Sequence, residues 1–83
     1  AWANTWQRPG IDLRPRSIVT VSMLVALGKT HELKPHVRGA LNNGVTPLEL
    51  EELMITVIGY AGFPTAVEGF RALREVEART AGS

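Results

Sequence analysis

His36 is the side chain here best suited to moving a proton near neutrality, because a free imidazole titrates at about pH 6.5. Glu32 lies four residues earlier, close enough on a helix for its carboxylate to orient the ring and favour its charged form. Two readings stay open for a lone helical histidine: a packed or surface residue, which is the commoner fate, or a general acid/base. Gly39, Ala40 and Asn43 follow His36 at i+3, i+4 and i+7, so all four share one face. Two of them are tiny, which puts either a closely packed helix or a small cavity beside the imidazole. His31, five residues away, is off that face, and the spacing argues against a two-histidine metal site. Arg38, two residues on, points elsewhere.

Guanidinium groups supply the other chemistry. Arg14 and Arg16 fall in the first turn of a helix, where the dipole disfavours cations. They are either solvated surface charges or the mark of an anion held there in the working protein. Ahead of them, Trp2 and Trp6 are unusual for an irregular arm closed by Pro9-Gly10. Either the indoles pack on a neighbouring surface, or Trp6 and Arg8 form one wall of a pocket that crosses a subunit boundary.

The elements that must position these groups are helical. A first helix is predicted from Asp12–Pro15 to Leu27, closed by Gly28. Its apolar residues cover most of the circumference, which suits a helix in the middle of an assembly. A second runs from Thr30 as cap to about Asn43, with Pro35 near the end of its first turn. Asn42-Asn43-Gly44 stops it. Thr46-Pro47-Leu48-Glu49 is a capping box with proline at the first helical position, so the next helix opens after a short turn and should run back roughly antiparallel. That third helix, Pro47 to about Ala61, is expected to bury Leu50, Leu53, Met54, Val57, Ile58 and Ala61. Glu49, Glu51 and Glu52 at its start read as capping and solvated residues rather than catalysts. Gly62 ends it. Phe63-Pro64 opens a fourth, with Ala66, Val67, Phe70, Leu73 and Val76 inward and an Arg71–Glu75 pair on the wet side. Thr80 to Ser83 should fray. No strand-like alternation and no internal repeat is present.

Composition sets the outer limits. The 83 residues make one small domain, yet 45% of them are apolar, more than a bundle this size can hide, so oligomerisation is expected. No apolar run approaches the roughly 18 residues of a membrane span, and the opening AWANTWQRPG lacks the layout of a signal peptide. It also lacks an initiator Met, as a fragment or processed product would. Cysteine is absent, which excludes disulfide, thiolate-metal and thiol redox chemistry by these residues. Nine basic against eight acidic residues leave a charge of +1, which gives no electrostatic reason to expect nucleic acid or a membrane surface as partner.

Four segments carry a resemblance. WQRPGIDLRPRS, the helix ending ALG, HVRGALNNGVTPLELEE and YAGFPTAVEGFRALREV resemble the carboxymuconolactone decarboxylase family, and the first of them points to its decarboxylase branch. The resemblance implies an all-α fold, a small antiparallel bundle of about four helices of alkylhydroperoxidase D-like type. Oligomerisation into a ring of hexamer or trimer kind would complete it. Residues 1–83 would be a single such domain, with 1–12 as an irregular arm and without the helices that usually precede Trp6 in the family. The peroxidase branch carries a CxxC pair where this chain has Lys29 and Glu32, so that chemistry is excluded. Many members of the decarboxylase branch carry Cys where this chain has Ala61.

The activity implied is cofactor-free loss of carbon dioxide from a carboxylated muconolactone in aromatic-acid breakdown, giving an enol-lactone, in the cytoplasm. On this basis His36 and Arg16 are the catalytic residues, His36 delivering a proton and Arg16 holding a carboxylate, with Arg8 binding a carboxylate of the substrate. Trp6 excludes water, and Asn43 contributes to substrate binding. The alternatives are a non-catalytic or repurposed oligomeric scaffold of the same family and an enzyme on another small carbonyl or lactone substrate.

Overall fold

The computed structural model describes residues 5–82, with side chains through Arg79. Trp2 and Ser83 lie outside the described residues, so the expectations placed on them are not addressed. Four helices follow in order: α1 (Leu13–Leu27), α2 (Thr30–Asn42), α3 (Pro47–Ala61) and α4 (Phe63–Gly82). The described residues contain no strand, and none of these helices is long and apolar enough to cross a membrane.

Local chemistry accounts for most of the boundaries. Gly28 takes the left-handed conformation (φ 71°) that ends α1, and its N–H caps the carbonyls of Leu24 and Val25. The capping box is formed in full. Glu49 N–H donates to Thr46 Oγ1 at 3.1 Å, and Thr46 N–H donates to Glu49 Oε1 at 2.9 Å. Two starts and ends differ from expectation. Helix α2 begins one residue early, so Lys29 rather than Thr30 occupies the cap position, and no side chain caps it. Pro35 consequently sits inside the helix, where it has no N–H to offer the His31 carbonyl. At the other end of the chain, α4 continues through Gly82 where fraying was expected. Thr5 and Trp6 also have helical backbone, within the arm read as irregular.

Packing follows the apolar faces. The buried side chains include Val21 and Val25 of α1, Leu33 and Val37 of α2, Leu50 and Met54 of α3, and Leu73 and Val76 of α4. Burying a side chain of this size contributes roughly 1.5–3 kcal/mol. Helices α2 and α3, although joined by the short turn, each pack on α1 and α4 rather than along one another. Gly69 allows the closest approach. A Cβ built there would lie 3.1 Å from Val25 Cγ2 and 3.3 Å from Met54 Sδ, so α4 meets α1 and α3 where only hydrogen fits easily.

Some faces turn outward instead. Ala61 and Val67 are exposed and Ile58 is half-buried, although all three were expected inside; Phe70, also half-buried, packs against the core as expected. On α1, Met23 and Leu27 are 52% and 68% exposed; only part of that apolar circumference is covered by the chain itself. The expected Arg71–Glu75 pair is replaced by two others, because partners from across the bundle compete with the local one. Arg71 pairs with Glu68, and Glu75 pairs with Lys34 of α2 at 2.6 Å. Hydrogen bonding from Lys34, then its charge, lowers the Glu75 carboxyl below its ordinary value. Arg74 bridges Glu51 at 2.9 Å and Glu77 at 3.1 Å, tying α4 to α3.

Candidate active site

His36 is half-buried on α2, and its ring stacks on Trp6 with centroids 6.3 Å apart and planes inclined by 20°. That spacing is within the range of attractive aromatic pairs. Beside the stack lies a cavity of about 280 Å³ lined by Trp6, Ser17, Pro35, His36, Gly39, Ala40 and Asn43. The small pair Gly39 and Ala40 makes room for it one turn beyond the imidazole. Asn43 reaches across from the end of α2 to α1, where its Nδ2 donates to Ser17 Oγ at 3.0 Å. Ser17 is only 2% exposed and is the buried polar residue of the core.

Trp6 has a second role. It also borders a larger cavity of about 480 Å³, lined by Thr5, Trp6, Arg16, Val19, Thr20, Met23, Leu24, Leu27 and Glu32. Arg16 is half-buried there. Its Nη2 donates to the backbone carbonyl of Arg8 at 3.3 Å, while its Nε is buried with no hydrogen-bond partner among the described residues. A guanidinium with one donor unsatisfied away from water is poised to take an acceptor, since leaving such a group bare is costly.

The sequence-derived candidates therefore divide between two adjoining spaces. His36 and Asn43 line the smaller, Arg16 lines the larger, and Trp6 lines both. Arg8 meets Arg16 through its carbonyl, and its own side chain is exposed. Arg14 is not a second anion receptor, because it pairs with Glu49. Glu32 lies in the wall of the larger cavity beside Arg16. Arg38 is exposed. Among the described residues no cluster of three or more His, Cys, Asp or Glu is placed to hold a metal ion.

Ser17 is the functional candidate that the sequence reading missed. A signal was present: it lies four residues before Val21 and seven before Leu24, on the face that α1 turns to the core. A hydroxyl at such a position needs a polar partner.

The Carboxymuconolactone decarboxylase family model matches residues 1–75. The chain belongs to the carboxymuconolactone decarboxylase family. It is 43% identical over 76 residues to a 4-carboxymuconolactone decarboxylase of Acinetobacter baylyi, an alignment covering 92% of this chain and 57% of that relative. It is also 43% identical over 68 residues to the nitrosuccinic acid decarboxylase npaB of Metarhizium robertsii, covering 82% of this chain and 48% of that one. The chain thus spans about half the length of the curated relatives it matches.

Proposed function

We propose that this member of the carboxymuconolactone decarboxylase family removes carbon dioxide, without a cofactor, from a small carboxylated lactone of the carboxymuconolactone type. The relatives are named for a lactone and for a nitro acid. In both compounds the departing carboxylate leaves an electron pair that an adjacent group can absorb, a conjugated lactone carbonyl in one and a nitro group in the other. Such chemistry makes three demands: hold an anion, stabilise charge on an oxygen, and return one proton to carbon. The observation that carries the reading is the imidazole of His36 stacked on Trp6 beside a cavity, with Arg16 lining a second cavity that Trp6 also borders.

In this reading Arg16 binds a carboxylate through its guanidinium, with the exposed side chain of Arg8 as a second cation for the substrate. The bond from ring carbon to carboxylate breaks, carbon dioxide departs, and the electron pair spreads into the lactone as a dienolate. His36, protonated, gives its proton to carbon and completes the enol-lactone. Trp6 keeps water from the pair of electrons, and Asn43 borders the bound ring. The exposed Met23 and Leu27 belong to a face that a second copy of the chain covers, in keeping with a homo-oligomer.

Incubation with carboxymuconolactone tests this directly. Wild type releases carbon dioxide, and His36→Ala lowers kcat by at least about a hundredfold, the usual contribution of a positioned acid. An inert wild type, or a His36→Ala variant of undiminished rate, ends the proposal.

A further inference from the structure

The three side-chain hydroxyls of α1 are not used alike. Thr20 Oγ1 donates to the Arg16 carbonyl at 2.9 Å, and Ser22 Oγ donates to the Ile18 carbonyl at 2.7 Å. Both spend their proton on the backbone four residues earlier, the ordinary fate of a hydroxyl within a helix. Ser17 does not. Its oxygen accepts from Asn43 Nδ2 at 3.0 Å, and among the described residues no acceptor takes its proton. Because Ser17 is only 2% exposed, bulk water does not readily serve it, and a buried hydroxyl proton without an acceptor is costly. The same residue lines the cavity that His36 and Trp6 border.

We infer that the Ser17 hydroxyl, oriented by the Asn43 amide, is the hydrogen-bond donor to the lactone oxygen that gains negative charge in the reaction. This rests on the decarboxylase reading and adds a catalytic residue to it. Accepting one bond from Asn43 polarises the Ser17 O–H and fixes the direction in which it donates. No proton leaves Ser17. When the carbon–carboxylate bond breaks, the electron pair moves into the ring and the charge on the carbonyl oxygen is met by Ser17 O–H. When the pair returns to form the new C–H bond, the proton comes from His36 and the Ser17 hydrogen bond relaxes. A donor placed in advance at the atom where charge develops is among the strongest devices an enclosed site can offer. Asn43 acts through Ser17 and is a positioning residue.

The test uses the full chain with Ser17→Ala and the near-isosteric, weakly donating Ser17→Cys, both checked for native helical content and thermal midpoint. Two readouts are taken. The first is turnover of carboxymuconolactone, where loss of one such donor lowers kcat about a hundredfold while KM moves little. The second is equilibrium binding of tetronate, an enolised lactone anion, with neutral butyrolactone as control. Both variants should bind tetronate roughly tenfold or more weakly, as expected for a lost hydrogen bond to a charged group, and butyrolactone no differently from wild type. Unchanged tetronate affinity, or unchanged kcat in an active enzyme, overturns the inference and leaves the decarboxylase reading standing. A wild type inert toward the carboxylated lactone, yet binding tetronate through Ser17, overturns that reading and upholds the hydroxyl site. Neither turnover nor tetronate binding in wild type overturns both.

Discussion

The two hollows that Trp6 helps to line otherwise differ in kind. The smaller is built by small residues and by polar groups that helices α1 and α2 aim at one another: Ser17, Asn43 and His36. The larger is mostly an aliphatic slope of α1, Val19, Met23, Leu24 and Leu27, with Arg16 and Glu32 as its charged groups. Polar groups fixed by a bond between two helices are suited to act on electrons, because little reorganisation accompanies the chemical step. An aliphatic slope with a single guanidinium is suited to gripping a ligand's charged end, and its outer residues offer a surface for another chain. On the proposed reading, binding and chemistry are shared between two neighbouring spaces that have Trp6 in common.

The sharpest way to break that division is Arg16→Ala. If the larger hollow grips the carboxylate, KM rises roughly ten- to a hundredfold for loss of a charged hydrogen bond, with kcat less affected, in steady-state assays of carbon dioxide release. A selective fall in kcat would instead move Arg16 into the chemistry. Met23→Glu probes the outer slope. A buried unpaired charge is strongly unfavourable at an interface, so the mass measured by light scattering should drop toward that of a single chain. An unchanged mass would leave that slope without a partner.

The smallest effect belongs to a control remote from both hollows, the Lys34–Glu75 pair. Glu75 titrates below its ordinary value in the folded chain. Its stabilising contribution is therefore present above the normal carboxylate range and lost as pH falls through the lowered value. Glu75→Gln should lower the thermal midpoint slightly at about pH 7, and the gap should shrink as the pH falls through the lowered carboxyl value and the wild-type side chain also becomes neutral. A gap that persists in acid would assign the difference to packing. Turnover at neutral pH should be unmoved.

How much of this could be read from the chain depended on the range of the interaction. Thr46, Pro47 and Glu49 announced a helix start because every partner lies within three residues, and Gly28 and Gly62 marked stops for the same reason. The shared face of His36, Gly39, Ala40 and Asn43 was legible from periodicity alone, and all four line one cavity. What failed was long-range. Glu75 takes Lys34 from another helix in place of Arg71, and no local rule names that rival. Arg14 and Arg16 looked equivalent, yet Glu49 claims the first and a cavity holds the second. The spacing of Ser17 to Val21 and Leu24 put it on the core face, but its partner Asn43 lies 26 positions away, beyond the reach of a local rule. The exposure of Ala61 and Val67 has a related origin, since a helical period marks an apolar face without saying which chain will cover it.

Glu49 carries a consequence beyond starting α3. The carboxylate that closes the capping box also grips Arg14, and Arg14 stands one turn before Ser17 on α1. The same side chain thus fastens the azimuth of α1, because a slip of one residue would turn that helix by about 100° and swing the serine away from its amide. A motif usually credited with defining where one helix begins thereby acts as a locating pin for its neighbour, and loosening it should blur the aim of the hydroxyl before it unfolds anything.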